Sequence, residues 1–336
     1  MINLKRLRSK IENLFSKGVP VLMYHRIFSP ESDPWQLSVS PENFERQLQF
    51  LRKRYKIVSL DTLAQQLDEG KIGNDMLALS FDDCYSDNYH FARPLLEKYE
   101  CPATFFVPSG LIGRNQLFWW DELQQLIMHT LVLPNRLELY IGSEKFEHNI
   151  QSVVLKQDEA EAQSKWTWSD TPPTERADLY LQIWKLLQPL QADQIRNVLD
   201  QIKLRLSREV EPGPYDLPMN FSQLNEIENS TLFNLAIHTS THPKLAGLPE
   251  EVQRAEIVEC KKWLMHQFGE ARPPIAYPYG SYDEITIKIL KEEKLPLGFT
   301  TNPISVRSNS HRFELGRLQV LNWNANQLEE FLRKNT

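Results

Sequence analysis

Two short motifs set acids and imidazoles at spacings that could do chemistry. The first, SFDDC, sets Asp82 and Asp83 side by side at the end of the apolar run MLALSF. The second, HTSTH, sets His238 and His242 four residues apart, directly after LFNLAI. Neighbouring side chains of a strand diverge to opposite faces, so an acid doublet on a buried strand leaves one charge desolvated unless a cation meets it. Two imidazoles and one carboxylate form a familiar donor set for Zn²⁺ that keeps a position open for water. The plainer alternative for the two histidines is a partly buried, hydrogen-bonded pair, and the nearby FDD weighs against it.

Two further segments offer reactive groups. In IAYPYG (275–280), Pro278 fixes its own backbone and Gly280 permits a sharp turn that would aim the Tyr279 amide N–H inward. A rigid backbone donor of this kind suits a developing oxyanion. LMYHRI (22–27) ends its apolar run on His25. An ordinary strand-to-loop turn and a satisfied core histidine are the alternatives.

These groups need a scaffold that brings distant segments to one rim. Eight short apolar runs are candidate strands: 19–24, 55–60, 76–81, 102–107, 232–237, 273–278, 295–300 and 313–321. Helix patterns separate them, with recognisable ends. Ser40-Pro41-Glu42 gives a cap, a proline at the first helical position and an early acid. A long pattern opens at Pro249 and closes on Gly269, and Ser281 precedes another. Alternating strands and helices predict an α/β fold with a largely parallel sheet, an irregular (β/α) barrel of seven or eight strands. Barrel enzymes place their sites at the C-terminal ends of the strands, where Asp83 and His238 fall. One domain spans 1–336. The spacing breaks between about 118 and 220, which predicts a mainly helical insertion there. It contains FWWDELQQLIMHTLV, a strand-like RLELYI, a polar stretch from Gln157 to Glu175 and a helical RADLYLQIWKLLQPL.

Bulk composition narrows the class. The chain has 336 residues, 41% hydrophobic and 24% charged, as expected of a globular protein. A net charge of -6 gives no reason to expect nucleic acid as a partner. Cys84, Cys101 and Cys260 are too scattered for a disulfide framework and fit a reducing compartment. The N-terminal stretch has neither the apolar core nor the small-residue cleavage site of a secretory signal, so a cytoplasmic protein is expected. Placed on a helix, Ile2, Leu4, Leu7, Ile11 and Leu14 form one apolar stripe flanked by basic residues. That stripe either packs on the domain or gives a weak peripheral contact with the inner face of the membrane.

The two motifs together resemble those of the NodB-homology polysaccharide deacetylases, the fourth family of carbohydrate esterases. Ser80-Phe81-Asp82-Asp83 matches the first motif, [ST]FDD, and His238-Thr239-Ser240-Thr241-His242 matches the second, H[ST]xxH. The resemblance covers roughly residues 15–115 and 220–320. It implies that Asp83, His238 and His242 hold a divalent metal, Zn²⁺ first and Co²⁺, Ni²⁺ or Fe²⁺ as alternatives, and that Asp82 is the general base. The doublet then splits its work between the metal and the attacking water.

Three departures follow. The usual C-terminal LxH motif is missing, because LGRLQVLNW has no histidine. A circularly permuted subgroup, similar to the poly-N-acetylglucosamine deacetylases, carries this residue near the N-terminus, which makes His25 the general acid. The arginine of the third motif is replaced by Ala276, and Arg317 is the candidate substitute. Cys84 stands where glycine is usual, with inert packing preferred over a role as fourth ligand.

Candidate substrate contacts are Phe81, Pro278 and Tyr279 at the rim, and Trp119 and Trp120 at the start of the insertion. Aromatic faces stack on sugar rings; core packing is the even alternative for the two tryptophans. The expected activity is metal-dependent removal of N-acetyl groups from an amino-sugar-containing glycan or glycolipid, in bacterial surface polysaccharide synthesis. The rivals are deformylation of a lipid-linked amino sugar, a catalytically silent glycan-binding module and unrelated metal-assisted hydrolysis, for instance of a phosphoester.

Overall fold

The apolar runs fold into strands that are short, mostly buried and parallel. The structure, a computed structural model, describes residues 18–73, 75–269 and 273–336. The N-terminal stripe expected as a helix lies outside them. No helix among the described residues is long and apolar enough to cross a membrane. Contacts divide the chain into two compact units. One holds Ser38–Gly113 and Met219–Thr336 with the described residues up to Ser29; the other holds Pro30–Leu37 and Arg114–Pro218.

The strands are β1 (Val21–Tyr24), β2 (Lys56–Val58), β3 (Met76–Phe81), β4 (Ala103–Val107), β5 (Arg136–Ile141), β6 (Glu144–Asn149), β7 (Phe233–Ile237), β8 (Ile275–Ala276), β9 (Gly298–Phe299) and β10 (Leu318–Gln319). In the first unit eight of them make one parallel sheet in the order β10-β1-β3-β4-β7-β8-β9, with β2 pairing β3. The sheet curls back on itself. The segment leading into β10 bridges β9 through Leu315 and Phe299, while Leu318 pairs with Leu22 of β1. This is the irregular barrel that the strand spacing predicts.

Strand alternation sorts the side chains into two layers. Val21, Ala78, Phe106, Ala236, Ala276, Phe299 and Leu315 form one buried cluster. Their neighbours Leu22, Leu77, Leu79, Phe81, Phe105, Leu235 and Ile275 join another, which also takes in helix residues such as Phe44, Leu48, Ile257 and Leu264. The first cluster fills the inside of the curled sheet and the second lies between sheet and helices.

Helix ends follow local chemistry. The Ser40 hydroxyl accepts from the Asn43 N–H, Pro41 opens Pro41–Arg54, and Arg52, Lys53 and Arg54 close it against the macrodipole. Glu250–Phe268 ends on Gly269 in the left-handed region. One boundary differs from the sequence reading. The cap before Glu284–Glu292 is Asp283, whose carboxylate accepts the Thr286 N–H while the Thr286 hydroxyl accepts the Asp283 N–H. Ser281 lies two residues too early, and its hydroxyl accepts the Ala246 N–H instead.

The second unit has its own core. Helices Trp119–Ile127, Glu175–Leu187 and Ala192–Leu206 bury Leu123, Leu126, Tyr180, Ile183, Val198 and Ile202 against Leu137 and Leu139 of β5. Two elements here were not expected. β6 pairs with β5 as an antiparallel hairpin despite its charged sequence EKFEHN, because most of its side chains face solvent. The polar stretch also forms a helix, Gln157–Lys165, capped by the Glu159 carboxylate at the Lys156 N–H.

Candidate active site

The register of the parallel strands brings the motifs to one rim. β1, β3 and β7 end at Tyr24, Phe81 and Ile237, so His25, Asp82 and His238 are each the first residue past a strand. Each also keeps the inward parity of its strand, matching Val21, Ala78 and Ala236. Asp83 has the wrong parity and reaches the site by another route. It sits at φ 68 and Cys84 at φ 54, a left-handed kink that turns the chain sharply after Asp82. Thr239, His242 and Tyr279 also have positive φ, at 63, 63 and 57. Such conformations cost non-glycine residues of order 1–3 kcal/mol each and gather where function requires a particular side-chain aim. Five of them lie on the three loops of this site.

Asp83 Oδ1 lies 3.2 Å from His242 Nε2 and 3.4 Å from His238 Nε2. Ligand atoms of all three residues fall within 4.8 Å of one another, and all three side chains are buried. The donor set fits a divalent cation on two grounds. His238 Nδ1 lies 2.9 Å from the Ala276 carbonyl, which takes its proton and leaves the Nε2 lone pair facing inward. Asp83 Oδ1 is buried and accepts no hydrogen bond from the described residues, so its charge faces only the two imidazoles. Burial opposes ionisation of Asp83, but His242 and His238 outweigh it and hold the carboxyl well below its usual range. Burial lowers His242, the direction that favours a neutral ligand; it lowers His238 too, but there Asp82 and Asp83 win and raise it.

Asp82 is turned to a different partner. Arg317 grips it bidentately, Nη1 to Oδ1 at 2.6 Å and Nη2 to Oδ2 at 2.7 Å, and Arg317 is itself fully buried. The guanidinium also donates to the Thr300 carbonyl and to the Ser80 hydroxyl, and its Cζ lies 5.3 Å from the Phe106 ring centre. Burial would raise the Asp82 carboxyl; Arg317 and the nearby His238 overcome it and keep it low. Arg317, the candidate substitute, is thus the arginine that orients Asp82 in this chain. His25 Nε2 stands 4.0 Å from Asp82 Oδ2 on the other side.

Tyr279 occupies a 3₁₀ turn, Pro278–Gly280, and its ring meets that of His242 edge-on at 4.9 Å. Gly280 is required here. At φ 66 a β-carbon would lie 2.3 Å from the Thr301 hydroxyl.

One expected contact is placed elsewhere. Phe81 does not face the site: strand alternation sends it outward, fully buried, stacked between Tyr24 and Phe105. Trp120 is buried in the second unit and stacks on Phe118, and Trp119 packs against Trp184 there, so both rings are engaged in packing. The Cys84 thiol donates to the Phe106 carbonyl and stays out of the donor set. Glu256 is among the residues that went unnoticed in the sequence. On helix Glu250–Phe268, it accepts the Ser240 and Thr241 N–H groups at 2.8 Å each and the Thr241 hydroxyl at 2.6 Å, fixing the loop between the two histidines. No local pattern marks it, because its partners lie 15 and 16 residues earlier.

The sequence profile described as polysaccharide deacetylase matches residues 69–138 and 190–297, just over half of the chain. The chain belongs to the polysaccharide deacetylase family, and is a hydrolase. It is 21% identical to the putative polysaccharide deacetylase YxkH of Bacillus subtilis over 304 residues, 90% of this chain and 71% of that protein. It is also 21% identical to a poly-beta-1,6-N-acetyl-D-glucosamine N-deacetylase of Staphylococcus aureus over 313 residues, 89% of this chain and 77% of that one. Among solved structures, IcaB from Ammonifex degensii superposes with a TM-score of 0.59 at 17% identity, covering 95% of this chain and 98% of its own. The Streptococcus pyogenes deacetylase PplD, in complex with acetate, gives 0.55 at 20% identity, covering 94% and 99%. These likenesses establish the deacetylase fold, on which the rim geometry stands.

Proposed function

We propose that this deacetylase hydrolyses the N-acetyl group of an amino-sugar residue in a bacterial surface glycan, with a divalent cation held by Asp83, His238 and His242. The observation that carries the reading is the convergence of those three ligands beside a second carboxylate, Asp82, that is kept ionised by Arg317. Zn²⁺ is the first choice of cation, and Co²⁺, Ni²⁺ and Fe²⁺ accept the same donors. When bound, such an ion supplies Lewis acidity, activating water near neutral pH and polarising an amide carbonyl.

The remaining roles belong to the chain. Asp82, anionic and oriented by Arg317, takes a proton from the attacking water. The Tyr279 N–H, on a turn fixed by Pro278 and Gly280, donates to the carbonyl oxygen as it becomes anionic. His25 gives a proton to the amine nitrogen as its bond to the acyl carbon breaks, so acetate and a free amino sugar leave. His25→Ala should lower turnover about 10²- to 10⁴-fold while the metal content stays that of the wild type; a rate within twofold of wild type would place the acid elsewhere.

The direct test is a panel of N-acetylated oligosaccharides, N-formylated counterparts and lipid-linked amino sugars, scored for acetate and formate. Acetate from an N-acetylated glycan is the expected result. Formate alone would make the enzyme a deformylase, and binding without release of either would make it a glycan-binding module.

A further inference from the structure

His25 lies past the point where the sheet holds its strand. The β1–β3 register runs only to Tyr24 opposite Phe81, and the β1–β10 register only to Met23 opposite Gln319. Beyond it the backbone is tied to two side chains in the first turn of the helical segment that follows Asp83. The His25 carbonyl accepts from Asn88 Nδ2 at 2.9 Å. The Ile27 N–H donates to Asp87 Oδ1 at 2.9 Å, and Arg26 Nε donates to Asp87 Oδ2 at 2.8 Å. Asn88 Nδ2 also donates to Asp87 Oδ1 at 2.6 Å, so the two side chains brace each other. A backbone bridge from Arg26 to Ser38 supports the far side.

The placement of charge in this frame is costly, which argues that it has a use. Asp87 and Asn88 are completely buried and Arg26 nearly so. The Arg26 guanidinium carbon lies 4.4 Å from the Tyr85 ring centre and 5.2 Å from that of Phe28. A buried ion pair regains its desolvation cost only with good geometry and further hydrogen bonds, and is weak evidence of stability for its own sake. Here all three consecutive residues, 25 to 27, are fastened to one carboxylate–amide pair four and five residues beyond Asp83. The frame therefore links the loop of the proposed acid to the helical segment that follows a proposed metal ligand.

We propose that Asp87 and Asn88 are positioning residues for His25, setting the distance between the proton donor and the scissile bond without touching substrate. The inference rests on His25 being the general acid. A misplacement of about 1 Å in a catalytic group costs on the order of 10²-fold in rate, so losing the frame should appear in kcat rather than in KM.

A double-mutant cycle tests this. Asp87→Asn and Asn88→Ala are each made in the wild type and in His25→Ala, with kcat, KM and metal content measured on an oligosaccharide that the enzyme deacetylates. In the wild type each should lower kcat about 10- to 100-fold, with KM and metal content unchanged. In the His25→Ala background the same changes should cost less than about threefold, because the group they position is already gone. Equal fold-losses in both backgrounds, or no loss in the wild type, would overturn the proposal. Asn88→Ala keeps the comparison open should Asp87→Asn fail to fold. His25→Ala at undiminished rate would be a separate failure: it would strike the acid assignment itself, and with it any reason to position that ring.

Discussion

Asp83→Asn and His238→Ala will each remove the bound metal and the activity together, with turnover reduced about 10³-fold or more. The magnitude follows from the several kcal/mol that a Lewis acid supplies to charge development, at about 1.4 kcal/mol per factor of ten. The two substitutions act on opposite sides of the same centre. Asparagine at 83 keeps the shape but removes the anion whose Oδ1 faces both imidazoles. Alanine at 238 removes the Nε2 that the Ala276 carbonyl holds in place through Nδ1. The barrel core should tolerate both changes, since the inner and outer apolar layers contain neither residue. Elemental analysis of the purified variants, with circular dichroism to establish folding, checks the prediction. A folded Asp83→Asn protein that retained wild-type metal and lost activity would show that Asp83 acts in some other way.

The second large effect is expected at Arg317. Arg317→Ala leaves the Asp82 carboxylate buried without its bidentate partner. Breaking a buried pair from one side costs about 3–5 kcal/mol of stability, and chemical denaturation would measure it. The pH dependence has a definite sign. Arg317 helps hold the Asp82 carboxyl below its usual value. A carboxyl lowered in the folded state adds stability that is present above its unfolded pKa, about 3.9, and is lost as pH falls through the folded value. The gap between wild type and variant should therefore narrow as pH falls from the variant's folded-state value toward the lower folded-state value of the wild type. With burial unopposed, the Asp82 carboxyl should rise, moving the acid limb of kcat/KM to higher pH. Adding Asp82→Asn to Arg317→Ala removes the orphaned charge, so stability should partly return while activity does not. If the double variant were no more stable than Arg317→Ala, the pairing would not be the source of the loss.

The scaffold was legible in the sequence because barrel strands are buried on both faces. Each reads as a short apolar run, and the polar residue that ends it falls on the rim, as at His25, Asp82 and His238. Parity alone would have sent Asp83 away from Asp82, and only the left-handed kink at Asp83 and Cys84 resolves the doublet. Parity would also have assigned Phe81 correctly: it shares the outward face of Leu77 and Leu79, not that of Asp82. What stayed hidden is long-range and polar. The resemblance names Arg317 only as a candidate, and its grip on Asp82 spans 235 residues; Asn88 meets the His25 carbonyl across 63. Such contacts leave no local period, so composition and spacing do not report them. The tryptophans are a different case: FWWDE looks the same whether its rings meet sugar or pack, and the structure sets them against Phe118 and Trp184.

The central claim is that catalysis depends on one cation shared by Asp83, His238 and His242. Metal-depleted wild-type protein, titrated with Zn²⁺ while acetate release is followed, tests it most directly. The account predicts no release from the depleted protein and recovery that saturates at one ion per chain. Acetate release at an undiminished rate from fully depleted protein would contradict it.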